Sequence, residues 1–263
     1  MEHPPQSKRE HLRRLVAEKQ AWSVPLPPGA KNQDFKGWHE RGYLPHCDKP
    51  GLVQFVTFRL WDSLPASQRG EWKSLLAAER SNAPRSAAPG EEAQAGARSI
   101  ASPERINSLA HRHDAAREQH RKLEEYIDRG HGECFLRNPH IAALVEKAMC
   151  FHHGQRFDLL AWVVMPNHVH ALIKVNTTPL LKIIQNWKSF TAVTANKLLV
   201  RTGDFWQMDY WDTYMRDSEQ TQKAMRYIEN NPIKAKLCHT PEDWPFSSAR
   251  FRNPQTWELK FPS

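Results

Sequence analysis

Two histidines separated by a single residue are the part of this sequence best suited to chemistry. His168 and His170 follow an apolar run, 159–164, and the turn-forming pair Pro166-Asn167, and they lead into further apolar residues. This pattern predicts a β-strand. Alternate side chains of a strand point to the same face, so both imidazoles should lie within reach of one cation.

A tyrosine and an asparagine on a predicted helix farther along the chain could complete such a site. Tyr227 and Asn231 are spaced i, i+4, which places them on one face of a helix. A phenol has an ordinary pKa of about 10, so a nucleophilic tyrosine needs a metal-polarised phosphate beside it. Of the 5 tyrosines in the chain, Tyr227 has the best local setting. Together with the histidine pair, these residues are sufficient for metal-assisted attack of a tyrosine on a phosphodiester.

Simpler interpretations of the same residues stay open at this point. The histidines could form an exposed pair without a metal or belong to the core, and Tyr227 could be a core tyrosine. Asn231 precedes Pro232 and could simply end a helix. Two other histidine sites are excluded by the residues that follow the pair. A histidine-triad hydrolase needs a histidine at position 172, and a metallo-β-lactamase-like site needs Asp-His where Ala171-Leu172 stand.

Composition favours a polyanionic partner. The 263 residues include 37 Lys and Arg against 29 Asp and Glu, a formal net charge of +8. Such a balance favours nucleic acid through phosphate neutralisation, although charge alone fits solubility equally well. The 4 cysteines form no C-x-x-C pair, which argues against a disulfide framework or a zinc knuckle. Without a signal peptide or an apolar run of about 20 residues, the expectation is a cytoplasmic protein with no membrane partner.

The predicted elements follow the order strand, helix, strand, strand, helix, strand, and one further helix. This is the split βαβ pattern of α+β ferredoxin-like folds, an antiparallel sheet with helices on one face. The additional C-terminal helix carries Tyr227 and should end near residue 230, because Pro232 disfavours continuation. The predicted ranges are 52–60, 138–151, 157–164, 168–175, 180–198, 211–215 and 217–230.

The chain divides into a main domain, 51–250, an N-terminal accessory segment, 1–50, and a C-terminal tail, 251–263. Within the main domain, 63–130 is predicted to be a partly disordered helical insertion. Its central part is rich in Ala, Pro, Gly, Ser and Glu and cannot bury enough apolar area to become ordered. We expect this insertion to decorate the fold rather than to build its core.

Five ordered motifs closely resemble the REP-associated tyrosine transposases of the single-tyrosine HUH transposase superfamily. The resemblance covers about residues 51–250, and it implies a ferredoxin-like fold. It also implies that His168 and His170 bind a metal, that Tyr227 is the nucleophile, and that Asn231 completes the metal site. The motifs are Val163 to His170, Trp187 to Thr191, Phe205 to Gln207, Tyr227 to Lys234, and Trp244 to Ser248, the last of which also looks like a packing clip.

The resemblance further implies the activity and its partners. The expected enzyme is a metal-dependent tyrosine transposase, an endonuclease and strand transferase specific for a sequence or hairpin in single-stranded DNA. It would act on REP-like palindromes in DNA transposition and recombination, with Tyr227 forming a 5′-phosphotyrosine intermediate. Hard phosphate oxygens favour Mg²⁺ and the two imidazoles favour Mn²⁺, so either cofactor is expected to work. We expect a monomer or a homodimer, associated with the nucleoid in the cytoplasm.

Basic and aromatic residues near the site are candidates for binding DNA. Stacking aromatics beside cations are typical of proteins that bind single strands or hairpins. The candidate phosphate contacts are Lys182, Lys188, Arg216 and Lys234, and the candidate stacking residues are Trp206 and Trp211. Two alternatives stay open: a domesticated relative that binds hairpins without cleaving them, and a metal-dependent nuclease in which water attacks, which would leave no protein–DNA adduct.

Overall fold

The computed structural model describes residues 35, 37–40, 45–64, 122, 125–208 and 210–261, with the backbone alone for 37–40 and 45–47. All of these residues belong to one unit, Asp34–Ser263. The predictions for residues 1–33, for the linker 81–102 and for nearly all of the remaining insertion lie outside the described residues. Within the described ranges, no helix is long and apolar enough to cross a membrane.

The strands and helices agree closely with the predicted order. Strands β4 and β5 and helix α2 have the predicted bounds, while β3, α1 and β6 are each one or two residues shorter than expected. Short 3₁₀ helices lie at Phe135–Arg137, Pro241–Asp243 and Ser248–Phe251. The elements are β1 (Gly37–Glu40), β2 (Pro45–Asp48), β3 (Val53–Arg59), α1 (Pro139–Cys150), β4 (Phe157–Val164), β5 (His168–Val175), α2 (Leu180–Leu198), β6 (Trp211–Tyr214) and α3 (Ser218–Lys234).

Four of the strands form one antiparallel sheet in the order β4-β5-β3-β6, and β1 pairs with β2 separately. Because β3, α1, β4, β5, α2 and β6 follow one another along the chain, this order is that of a ferredoxin-like split βαβ fold. The predicted α+β class is therefore confirmed. In the centre of the sheet, β3 runs antiparallel to β5 with Thr57 opposite His170 and Arg59 opposite His168.

The two faces of the sheet carry different helices. One face packs against α1 and α2, and the buried side of α2 includes Leu180, Ile184, Trp187 and Thr191. The opposite face packs against α3, whose Ile228 is fully buried among sheet residues. Side chains alternate along β5, so Val169 and Ala171 belong to the first face. His168 and His170 therefore project toward the face that α3 covers.

Helix α3 differs from its predicted end, because it continues through Pro232 to Lys234. Proline lacks a backbone N–H, so the helix loses the hydrogen bond that residue 232 would donate to Ile228. The last turn is nevertheless closed, since Ala235 N donates to Asn231 O at 3.0 Å and Leu237 N donates to Pro232 O at 2.8 Å. The prediction that Asn231-Pro232 ends the helix is wrong, and Lys234 lies on the same rigid element as the tyrosine.

A C-terminal clip, residues 244–252, fastens α3 to strand β4. The carboxylate of Glu229 accepts hydrogen bonds from Ser248 Oγ at 2.5 Å and from Arg252 Nε at 2.8 Å. Arg252 Nη2 donates to the carbonyl of Leu160 on β4 at 2.7 Å. The side chains of Arg252 and Glu229 are only 8% and 4% exposed. This buried ion pair therefore fixes the helix over the sheet.

We expect Arg252→Met to lower the free energy of unfolding by about 3–5 kcal/mol, because it leaves the Glu229 carboxylate buried without its ionic partner. Urea unfolding followed by circular dichroism measures this loss. Lys223→Met is the matched control, since it removes an exposed i, i+4 pair with Glu219 on the same helix. If both variants unfold at the same urea concentration, the clip does not stabilise the fold as argued.

Candidate active site

The two histidines of β5 meet through their outer nitrogens. His168 Nε2 lies 3.1 Å from His170 Nε2, and both side chains are buried, with the residues 0% and 1% exposed. The predicted placement of both rings on one face is confirmed. At this separation the two nitrogens either share one proton or turn their lone pairs toward a common cation.

Hydrogen bonds behind His168 fix its tautomer. Asn167 Nδ2 donates to the carbonyls of Ile127 and His131, at 3.1 and 2.9 Å. That leaves Asn167 Oδ1, which can only accept, 2.8 Å from His168 Nδ1. Nδ1 must therefore carry a proton, and in the neutral ring the Nε2 lone pair faces the site. Metal-binding histidines are usually oriented by an outer hydrogen bond of this kind.

Thr57 gives His170 the freedom to change tautomer. Thr57 Oγ1 lies 2.8 Å from His170 Nδ1, and a hydroxyl can donate or accept. When His170 Nε2–H donates to His168, the hydroxyl donates to Nδ1. When a cation takes both Nε2 lone pairs, Nδ1–H donates to the hydroxyl instead. Phe55 stacks on the His170 ring with 5.3 Å between centroids, and this contact holds the ring in place in either tautomer.

We expect Thr57→Val to weaken Mn²⁺ binding by about 10- to 100-fold, the usual cost of losing an outer partner of a metal ligand. Valine preserves the shape of the side chain but removes the hydroxyl that holds the required His170 tautomer. Isothermal titration calorimetry of the purified protein measures the affinity. Thr57→Ser should bind Mn²⁺ as the unmodified protein does, and equal losses in both variants would show that packing, not the hydroxyl, is responsible.

A carboxylate that the sequence patterns did not single out completes this cluster. Asp128 Oδ1 lies 3.6 Å from His168 Nε2, and ligand atoms of Asp128, His168 and His170 all lie within 4.8 Å of one another. Asp128 ends a helical stretch, 125–128, close to the end of the predicted insertion. Part of that segment therefore lies beside the histidine pair.

The chemistry of these donors fits a divalent cation. Two imidazole nitrogens and one carboxylate oxygen suit several first-row divalent metals. Asp128 Oδ1 is buried and has no hydrogen-bond partner within the described ranges. A buried carboxylate oxygen without such a partner is costly unless something else binds it. Asp128, His168 and His170 could therefore hold a metal, and the donor set alone does not select which one.

Tyr227 lies against the histidine pair. Its ring is half-buried, 5.6 Å from the His170 ring and 5.9 Å from the Phe55 ring between centroids, both edge to face. One helical turn on, Asn231 is 1% exposed. Neither Nδ2 nor Oδ1 of Asn231 has a hydrogen-bond partner among the residues that the structure describes. Since buried amides are normally satisfied, this one is suited to an added ligand, and its predicted metal role stays a prediction.

The three cysteines whose side chains the structure describes are weaker candidates for the nucleophile than Tyr227. Burial, aided by the nearby Glu146 carboxylate, raises the pKa of the Cys150 thiol to about 12. Burial also raises the pKa of the Cys134 and Cys238 thiols above the ordinary cysteine value. Because the thiolate is the reactive form, burial disfavours reaction at these three thiols.

The six predicted DNA contacts fall into different environments. Trp206 is 6% exposed, with its ring edge-to-face against Phe58 and its Nε1 donating to Thr191 Oγ1 at 2.9 Å. A base cannot stack on a buried indole, so this prediction does not agree with the structure. Lys188 Nζ donates to the carbonyls of Gln207 and Met208, at 2.5 and 2.6 Å, and so holds the loop before β6.

The other four residues remain candidate DNA contacts. Lys182 is exposed on α2, and Trp211 and Arg216 are half-buried near the two ends of β6. Lys234 is the only one of the six whose described contacts reach the histidine and carboxylate cluster. Its Nζ lies 2.7 Å from Asp128 Oδ2 and 5.6 Å from the centroid of the Tyr227 ring.

The chain shows similarity to known proteins. Residues 135–231 match the family model described as "Transposase IS200 like". The "REP-associated tyrosine transposase" of Escherichia coli (strain K12) is 28% identical over 96 residues, which are 35% of this chain and 54% of that protein. The chain thus spans about half the length of this curated relative. A solved REP-associated tyrosine transposase bound to a REP hairpin is 15% identical, with a TM-score of 0.41 over 86% of this chain and 93% of the other.

Proposed function

We propose that the protein cleaves and rejoins single-stranded DNA through Tyr227, as a relative of the IS200-like transposases whose family model residues 135–231 match. The observation that carries the proposal is the position of the tyrosine. Its ring lies 5.6 Å from His170, which itself belongs to a buried cluster suited to a divalent cation. A nucleophile beside such a cluster is the arrangement that phosphodiester transfer requires.

The reaction exchanges one phosphodiester bond for another. Tyr227 Oη loses its proton and forms a bond to phosphorus, while the bond from phosphorus to the 3′ oxygen breaks. The departing 3′ oxygen takes up a proton and leaves as a free 3′-OH. The DNA remains joined to the protein as a 5′-phosphotyrosine. Because the number of phosphodiester bonds is unchanged, attack by another 3′-OH rejoins the strand without ATP.

Different residues of the chain have different roles in the proposed reaction. The cation would be held by Asp128, His168 and His170, with Asn231 as a further candidate ligand. When bound, it would polarise the scissile phosphate and stabilise the charge that develops there. Helix α3 covers the sheet face that carries the two histidines, and it places Tyr227 against His170. The buried pair of Glu229 and Arg252 keeps that helix at a fixed distance from the sheet. Mg²⁺ and Mn²⁺ are the cations that we propose.

The proposed substrate is hairpin-forming single-stranded DNA of the REP type. The net charge of +8 favours a polyanion, and the name of the matched Escherichia coli relative associates that protein with REP sequences. Lys182, Arg216, Lys234 and Trp211 are the proposed DNA contacts. We propose a cytoplasmic protein that works at the nucleoid as a monomer or a homodimer.

A denaturing gel distinguishes the proposed function from its alternatives. The full chain is mixed with hairpin-bearing single-stranded oligonucleotides, labelled at either end, and with Mg²⁺ or Mn²⁺. The proposal predicts a covalent protein–DNA adduct and a second fragment that ends in a 3′-OH. Free 5′-phosphate ends without an adduct would indicate attack by water, and retention of intact DNA on a native gel would indicate a binding protein that does not cleave.

A further inference from the structure

One carboxylate of the site faces both the histidine pair and a lysine. Asp128 turns Oδ1 toward the histidine pair, 3.6 Å from His168 Nε2, and Oδ2 toward Lys234 Nζ, at 2.7 Å. The carboxylate is 8% exposed, whereas the Lys234 side chain is 49% exposed. The ammonium therefore reaches in from solvent and binds the carboxylate that a metal would need.

We propose that Lys234 is an internal cation that competes with the divalent metal for Asp128, and that DNA relieves this competition. The second half of the proposal rests on the proposed function, while the first half concerns the protein alone. In the absence of DNA, the ammonium neutralises the carboxylate and weakens metal binding. When a DNA phosphate enters, the ammonium moves from the carboxylate to the phosphate, and the metal is held more tightly.

The competition follows from the charges within the cluster. His168 and His170 bring no charge to a metal as neutral ligands, so Asp128 supplies the negative charge of the candidate ligand set. An ammonium in direct contact with that carboxylate repels a divalent cation placed a few ångströms away. It also occupies the second oxygen, so the carboxylate can bind a metal through one oxygen alone. Removing the ammonium restores both the charge and the second oxygen.

The relief by DNA follows from where the ammonium lies. Lys234 Nζ is 5.6 Å from the centroid of the Tyr227 ring, beside the group that must approach the scissile phosphate. Phosphate oxygens form strong charge-assisted hydrogen bonds with lysine. The four-carbon stem is long and half exposed, so the ammonium can turn from Asp128 toward a phosphate without movement of the helix. Such a coupling is reciprocal, and the metal must then also tighten DNA binding.

The first experiment needs no DNA. Isothermal titration calorimetry with Mn²⁺ compares the unmodified protein with Lys234→Met, Lys234→Gln, Asp128→Asn and the double variant Asp128→Asn/Lys234→Met. Both single lysine variants should bind Mn²⁺ about 5- to 50-fold more tightly, within the usual range of coupling between sites. Asp128→Asn should bind more weakly, and the double variant should gain nothing from loss of the lysine.

A control variant distinguishes the effect of the direct contact with Asp128 from the effect of removing one positive charge from the helix. Lys223→Met removes the same charge from the same helix, but Lys223 pairs with Glu219 at 2.6 Å instead of Asp128. Its Mn²⁺ affinity should stay within about twofold of the unmodified protein, since exposed distant charges are screened. Equal or weaker Mn²⁺ binding by Lys234→Met, or an equal gain in Lys223→Met, would overturn the competition.

The second experiment measures the coupling with cleavage prevented. In a Tyr227→Phe background, the Mn²⁺ affinity is determined with and without a saturating hairpin oligonucleotide. DNA should raise the affinity about fivefold or more, and this gain should disappear when Lys234→Met is added. A gain that persists without Lys234 would overturn the DNA half of the proposal. Failure of the oligonucleotide to bind would count against the proposed function, and the DNA-free titration would still decide the competition.

Discussion

Tyr227→Phe is expected to abolish the covalent adduct and to lower the rate of strand cleavage by at least about a thousandfold, because it removes the attacking oxygen. Phenylalanine keeps the ring that packs against Phe55 and His170. The variant should therefore fold, bind Mn²⁺ and bind hairpin DNA as the unmodified protein does. Cleavage of an end-labelled oligonucleotide under single-turnover conditions gives the rate.

The matched control for this variant is Tyr214→Phe. Tyr214 lies at the end of β6, opposite Gln54 in the register of the sheet, and outside the proposed machinery. The Tyr214→Phe variant also loses one phenolic oxygen, and its cleavage rate should stay near that of the unmodified protein. Rapid nicking by Tyr227→Phe would remove Tyr227 from the mechanism, and a parallel loss in Tyr214→Phe would point to a general structural effect.

Loss of a histidine from the pair should have the second-largest effect. We expect His170→Gln to weaken Mn²⁺ binding by at least about 100-fold and to reduce cleavage accordingly, because it removes one of the proposed metal ligands. Glutamine fills most of the buried volume, so the loss should not arise from a cavity. Titration calorimetry with Mn²⁺ measures the affinity, and thermal unfolding with and without Mn²⁺ provides a second readout.

An exposed histidine serves as the control for this prediction. His239 lies after α3 and is exposed to solvent, so His239→Gln should leave Mn²⁺ binding unchanged. If His170→Gln retains the Mn²⁺ affinity and the thermal stabilisation by Mn²⁺, the histidine pair is not the metal site. Equal losses in both variants would indicate that Mn²⁺ binds surface imidazoles.

Much of the fold could be predicted because its elements have strong local patterns. Strands β4 and β5 are short apolar runs on either side of a proline turn, and α2 has an apolar stripe of helical period. The bounds of all three agree with the structure. The common face of His168 and His170 follows from strand alternation alone, which is why the sequence indicated this half of the site.

The other half depends on tertiary structure that local patterns do not encode. Asp128 is one acid among many in a charged stretch, and only the folded chain brings it beside His168. Helix α3 continues through Pro232 to Lys234, and hydrogen bonds from Ala235 N and Leu237 N close its last turn, which a proline rule cannot anticipate. Trp206 lies among basic and aromatic residues in the sequence, yet it packs into the core, since composition does not distinguish a stacking surface from a buried ring.

Identifying the residue to which DNA becomes attached is the most direct test of the proposed role of Tyr227. After reaction with a hairpin oligonucleotide, the adduct is digested with nuclease and trypsin, and the peptides are analysed by mass spectrometry. Trypsin should cut after Arg226 and after Lys234, releasing the peptide Tyr227–Lys234. We expect a nucleotide joined through its 5′-phosphate to Tyr227 of this peptide. A nucleotide on any other residue, or cleaved DNA with no modified peptide, would contradict that role.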